Sequence, residues 1–100
     1  MIAISTIQAH VAASFGIGRI DMISERRARA VARPRQVAMY LARHLTGQSL
    51  PAIGRAFGKR DHTTILAGVR RVESLLEADA DFYAMVLMLR QELETEPEMV

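Results

Sequence analysis

An all-α fold, a compact bundle of five or six helices containing a helix-turn-helix, is predicted by three features of this 100-residue sequence. Apolar residues recur at helical spacing in segment after segment, and no segment alternates apolar with polar as a half-buried strand does. Half of the residues are apolar, yet only five are aromatic and none is Trp, which favours a helical core of Ala, Leu, Ile, Val and Met over a β-sandwich. A chain of this length and apolar content forms one domain, residues 1–100, and closes its core without crosslinks. The absence of cysteine removes disulfides, thiolate chemistry and Cys-ligated zinc.

Ile4, Ile7, Val11 and Phe15 mark a first amphipathic helix, with Ser5 or Thr6 near its start and Gly16 and Gly18 closing it. Ile17, Ile20 and Ile23 then form a short apolar step of one or two turns. Arg26, Arg27 and Arg29 follow with no apolar periodicity and are expected on a loop or arm. Pro34 suits the first turn of the next helix, where its missing amide costs nothing. That helix buries Val37, Ala38, Leu41 and Ala42, with Leu45 on the same side, leaves Arg35, Gln36 and Arg43 on the other side, and stops at Thr46 and Gly47. Ser49 is a natural N-cap for a short helix with Pro51 in its first turn, Ile53 and Phe57 inward and Gly58 at its end. Asp61 caps a longer helix to about Glu77, with Ile65, Val69, Val72 and Leu76 as its buried stripe. A last helix after Asp79 or Asp81 turns Phe82, Met85, Val86, Leu89 and Leu93 inward. Its acidic, proline-interrupted end, 94–100, is expected to fray. The six methionines suit soft core filling.

Net charge is only +2, but it is unevenly placed. Residues 19–71 hold twelve of the thirteen Lys and Arg against three acids, a balance of +9, whereas residues 72–100 hold eight acids against Arg90, a balance of −7. A middle that basic requires an anionic partner or an acidic neighbour, and the acidic tail neutralises only what lies near it. No apolar run approaches the ~18 residues of a membrane span, and the uncharged N-terminus lacks the basic start of a secretion signal. A cytoplasmic location with no membrane partner is expected.

The short helix from Ser49, the turn 58–60 and the helix from Asp61 have the proportions of a helix-turn-helix. Helix pairs joined by a glycine turn are common, so the chemistry of the second helix decides. Asp61, His62, Thr63 and Thr64 crowd short polar groups onto its first turn, where a recognition helix meets bases and phosphates. A hydroxyl can bond a base edge, a threonine methyl can touch a thymine methyl, and a carboxylate can accept from a cytosine amino group. Plain capping also accounts for Asp61 and Thr64, and Asp61 is expected to do both jobs. Arginines on an arm suit a narrow minor groove, although solvation is the commoner fate of such runs. Arg43, Arg55, Lys59 and Arg60 would add phosphate contacts. His10, His44 and His62 share no metal-ligand spacing, so no metal site is expected. The run 54–60 has three residues between its glycines rather than the four of a phosphate loop, lacks Ser or Thr after Lys59 and follows no strand. With no catalytic constellation, an enzyme is not expected.

Residues 31–41 (VARPRQVAMYL), 49–54 (SLPAIG) and 57–66 (FGKRDHTTIL) closely resemble the C-terminal DNA-binding domain, domain IV, of the bacterial replication initiator DnaA. The resemblance covers nearly the whole chain, and Arg-Asp-His-Thr-Thr after Phe-Gly is its most specific part. It implies an all-helical domain that binds the DnaA box of origins as a monomer on double-stranded DNA, with other replication-initiation proteins as further partners. It implies that Arg27 enters the minor groove, that Asp61, His62 and Thr63 read the major groove, and that Pro51 gives apolar contact to a base. Arg35, Gln36, Arg43, Leu50 and Thr64 match positions that hold the backbone. Lys59 stands where the family commonly has Gly, and Gly68 where it has a small residue such as Ala. The family's ATPase module is not among these residues, so no ATP site or other cofactor is expected, and the chain reads as an excised module or a free-standing regulator. The contrasting expectation is a protein-interaction module docking an acidic partner on its basic face.

Overall fold

The computed structural model describes residues 2–95. Helix α1 spans Ile4–Phe15, α2 Arg29–Thr46, α3 Leu50–Ala56, α4 His62–Ala78 and α5 Ala80–Glu94, and a 3-10 turn at Arg19–Met22 lies between α1 and α2. There is no strand among the described residues, and apart from the start of α2 the helices fall where the apolar periodicity put them. Glu94 closes α5 in helical conformation, and residues 96–100 of the expected frayed end lie outside the described residues.

Helix α2 is the axis of the bundle and packs most extensively on α4 and α1. Its Val37, Ala38, Leu41 and Ala42 are fully buried and meet Ile7 and Val11 of α1, Ile53 of α3 and Ile65 and Val72 of α4 in one core. Phe57, the C-cap of α3, is the largest fully buried side chain, so the turn after α3 is anchored from inside. Val86, Leu89 and Leu93 attach α5 to that core. Buried Gln8 donates to the carbonyl of Ala56 at 2.9 Å and so satisfies a free oxygen at the end of α3. His10 Nε2 lies 2.7 Å from Glu92 Oε1 and links α1 to α5 at the surface.

Three local expectations are corrected. Helix α2 begins at Arg29, not at the proline, and Pro34 is its sixth residue. Val31 and Pro34 are buried one turn apart and continue the stripe of Ala38 and Leu41, so packing offsets the ~3 kcal/mol cost of an interior proline. The apolar step turns the other way: Met22 is fully buried, whereas Ile20 and Ile23 are 67% and 46% exposed. Arg35, expected on the polar side of α2, is 6% exposed.

Helices α3 and α4 approach so closely that a Cβ at Gly54 would stand 2.1 Å from the carbonyl oxygen of Arg60. That carbonyl belongs to the backbone and cannot step aside. In α4, a Cβ at Gly68 would approach Met39 Sδ, the end of a flexible side chain, to 3.0 Å and make ordinary contact with Gln36 Cγ at 3.5 Å. Gly54→Ala should therefore lower stability by roughly 3 kcal/mol or more, in the range reserved for backbone clashes. Gly68→Ala should raise it by up to about 1 kcal/mol through helix propensity. Thermal unfolding followed by circular dichroism checks both, and opposite signs are the expected result.

Candidate nucleic-acid interface

The first turn of α4 is built by Asp61. Its side chain accepts from the amides of Thr63 at 2.7 Å and Thr64 at 3.3 Å, and from the Thr63 hydroxyl at 2.5 Å, all at Oδ1. Among the described residues Oδ2 receives no hydrogen bond, so one carboxylate oxygen caps the helix while the other is free toward solvent. Asp61, His62, Thr63 and Thr64 are all exposed. The Thr63 hydroxyl hydrogen is spent on Asp61, which turns the oxygen into an acceptor for an outside donor. The same three bonds, that hydroxyl foremost, hold the Asp61 carboxyl below its ordinary value of 3.8.

The turn before α4 carries positive φ at two successive residues, Gly58 at 82° and Lys59 at 62°. For Lys59 this left-handed conformation is strained, which explains in physical terms why glycine suits that position. Gly58 is required twice over, because a Cβ there would also approach the Ile23 carbonyl oxygen to 2.6 Å. The turn thus rests directly on the segment that leads into the arm.

Glu25–Ala28 have no regular structure, as expected of an arm, but Arg29 already belongs to α2. The arm is tied at its base. The Arg35 guanidinium donates to the carbonyls of Asp21 at 2.8 Å, Ser24 at 3.1 Å and Arg26 at 2.5 Å. Arg60 donates to the Ser24 carbonyl at 2.5 Å and to that of Phe57. Burial lowers the pKa of both arginines. For Arg35 the neighbouring Arg60 acts in the same direction. The side chain of Arg26 turns back toward Asp21 at 3.5 Å, while Arg27 is exposed and bonds to none of the described residues.

Arm and turn enclose a cleft of about 460 Å³, with Ile23, Glu25 and Arg27 on the arm side and Gly58, Lys59, Arg60 and Thr64 on the other. A second groove of about 360 Å³ continues it between α2 and α4, lined by Ala32, Gln36, Met39, Ala67, Gly68 and Arg71, and it shares Arg35, Arg60 and Thr64 with the first. Arg33 stands beside this groove, held to Gln36 at 3.1 Å. Its pKa is lowered by burial and by the positive charges of Arg71 and Arg29. These like charges raise the positive potential beside the groove.

The structure therefore gathers Arg27, Lys59, Arg60 and Thr64 around one cleft, adds Gln36 through the adjoining groove, and exposes Asp61, His62 and Thr63 on the turn above. Arg43, Leu50 and Pro51 line neither groove. Arg43 is exposed near the end of α2 and donates to the Gln48 carbonyl at 3.3 Å, Pro51 is exposed in the first turn of α3, and Leu50 beside it is half-buried. Arg35 lines both grooves from below, with its guanidinium spent on carbonyls. Sequence reasoning missed Arg71, which joins Thr64, Ala67 and Gly68 at helical spacing on the groove side of α4, and it missed the Ser24 carbonyl, which no side-chain pattern reveals.

Residues 4–72 match the family profile described as the bacterial dnaA protein helix-turn-helix. The chain is 55% identical over 93 residues to the chromosomal replication initiator protein DnaA of Gluconobacter oxydans (strain 621H), covering 93% of this chain and 19% of that protein. It is 53% identical over 92 residues to the protein of the same name from Sphingopyxis alaskensis (strain DSM 13593 / LMG 18877 / RB2256), covering 92% and 20%. It thus spans about a fifth of the length of these curated relatives. Among solved structures, a crystal structure of a DNA replication initiation factor matches with a TM-score of 0.83 at 31% identity, covering 93% of this chain and 28% of that one.

Because the Asp61 carboxyl lies below its unfolded value, its contribution to stability is complete above the ordinary aspartate range. It is lost as pH falls through the folded value. Asp61→Asn retains a capping oxygen but does not titrate. Acid unfolding followed by circular dichroism should show a wild-type stability loss below about pH 4 that is shallower in the variant.

Proposed function

Because the chain belongs to the bacterial DnaA helix-turn-helix family, we propose that it binds double-stranded DNA sequence-specifically at DnaA-box-like sites of a replication origin. It acts as the recognition module of a replication initiator or as a free-standing regulator of initiation, in the cytoplasm at the nucleoid. The observation that carries this reading is the start of α4, where four polar side chains are exposed and the capping carboxylate keeps an oxygen free.

Asp61, His62 and Thr63 read base edges in the major groove, Asp61 through its free oxygen and Thr63 through its methyl or its hydroxyl oxygen. Pro51 gives apolar contact from the first turn of α3. Arg27, exposed on the arm, enters the adjoining minor groove, where narrow A·T-rich segments attract guanidinium groups. Gln36, Arg43, Leu50, Lys59 and Thr64 hold the sugar-phosphate backbone, and Arg33 and Arg71 extend that set along the second groove. Arg35 and Arg60 contribute positive potential, but their hydrogen bonds go to the protein's own carbonyls. By this reading the chain recognises and does not catalyse. It takes no cofactor, and ATP-dependent assembly and melting are assigned to no residue here. The exposed first turn of α4 is thereby given a role, whereas docking of an acidic protein would leave it without one.

A gel shift comparing a box duplex with a scrambled duplex tests the proposal, and equal affinity for the two would refute it. Neutralising about six phosphates implies a log-log salt slope near −5. Arg43→Ala should weaken both duplexes alike, while His62→Ala should cost about 1–3 kcal/mol on the box alone. A uniform loss for His62→Ala would remove it from the base-reading set.

A further inference from the structure

The carbonyl of Ser24 is gripped from two directions. Arg35 reaches it from α2, eleven residues on, at 3.1 Å, and Arg60 reaches it from the turn, thirty-six residues on, at 2.5 Å. A carbonyl oxygen has two lone pairs, and both are taken. The Arg35 guanidinium also holds the carbonyl of Arg26 at 2.5 Å, one peptide before Arg27. Behind this the Gly58 backbone lies so near the Ile23 carbonyl that no side chain fits between them. Arg27 therefore leaves a segment fastened to α2 and to the turn of the helix-turn-helix at once.

We infer that Arg35 and Arg60 are positioning residues that lock the arm onto the turn, so that Arg27 and the first turn of α4 meet the duplex as one rigid unit of fixed spacing. This deepens the proposed reading and rests on it for the role of Arg27. An arginine placed to hold phosphate would offer its donors to solvent, but Arg35 is 6% exposed and spends both terminal nitrogens on backbone oxygens. Its influence on DNA passes through the arm. An arm already ordered in the free protein also loses less conformational freedom on binding, which raises affinity for the one spacing it matches and for no other.

Arg35→Lys separates geometry from charge, because lysine keeps the positive charge and lacks the planar fork that spans several carbonyls. Two measurements on the 100-residue chain test the inference. In nitrogen-15 relaxation, the amides of residues 25–28 should lose order in Arg35→Lys while those of α4 keep theirs. In fluorescence anisotropy, box affinity should fall about tenfold with scrambled-duplex affinity within about twofold, and the loss should vanish in an Arg27→Ala background. An arm that stays ordered, or losses from Arg35→Lys and Arg27→Ala that multiply fully, would overturn the lock. If Arg27→Ala leaves box preference intact, the minor-groove role of Arg27 fails instead, and arm order still decides the lock. Arg60→Lys, which removes the second grip alone, gives the same readouts should Arg35→Lys not fold.

Discussion

Two guanidinium groups meeting at the Ser24 carbonyl set the geometry on which the basic face of this protein depends. Bringing two like charges together beneath a surface is costly unless dipoles of opposite sense surround them. Here the carbonyls of Asp21, Ser24, Arg26 and Phe57 supply those dipoles. The backbone takes part in the same arrangement. Gly54 lets α3 close on the Arg60 carbonyl, Gly58 lets the turn close on the Ile23 carbonyl, and the buried Phe57 holds the turn between them. Helix-turn-helix and arm are consequently one packed object rather than a helix pair with an appended loop.

Most of the fold was legible in the sequence because it rests on periodicity and caps. Ile65, Val69 and Val72 announced the buried side of α4, Ser49 and Asp61 announced two helix starts, and all of these stand where the pattern put them. What misled were residues with two uses. Pro34 reads as a helix start from its missing amide, yet as an apolar side chain it extends a stripe that begins at Val31. Arg35 reads as surface because it is charged, yet its long side chain reaches carbonyls that no pattern of side chains encodes. Ile20 is the more apolar of its pair with Met22, yet the 3-10 turn buries Met22 and leaves Ile20 exposed, an outcome set by the winding of the chain and not by hydropathy. Of the site, the exposed Asp61-His62-Thr63-Thr64 turn was legible as chemistry on a helix start. The adjoining groove required knowing that α2 and α4 lie side by side, a contact between distant segments.

The basic groove carries an electrostatic cost in the free protein. Partial burial makes the charge on Arg33 harder to hold, and the positive charges of Arg71 and Arg29 add to that cost. Such a cluster weakens the free fold slightly, and negative charge placed across it would relieve that cost. Asp61 works in the opposite sense. Its negative charge is stabilised by the positive end of α4, while one of its oxygens stays open at the edge of the basic surface.

Helix α4 also sets the two ends of the molecule apart. Its 17 residues span about 25 Å, from the turn beside the arginine grooves to Asp79, the one residue that separates it from α5. Glu73, Glu77, Asp79 and Asp81 gather at the far end. A particle built this way is an electric dipole with a handle: in the field of a negatively charged rod it turns its arginine end inward before it touches.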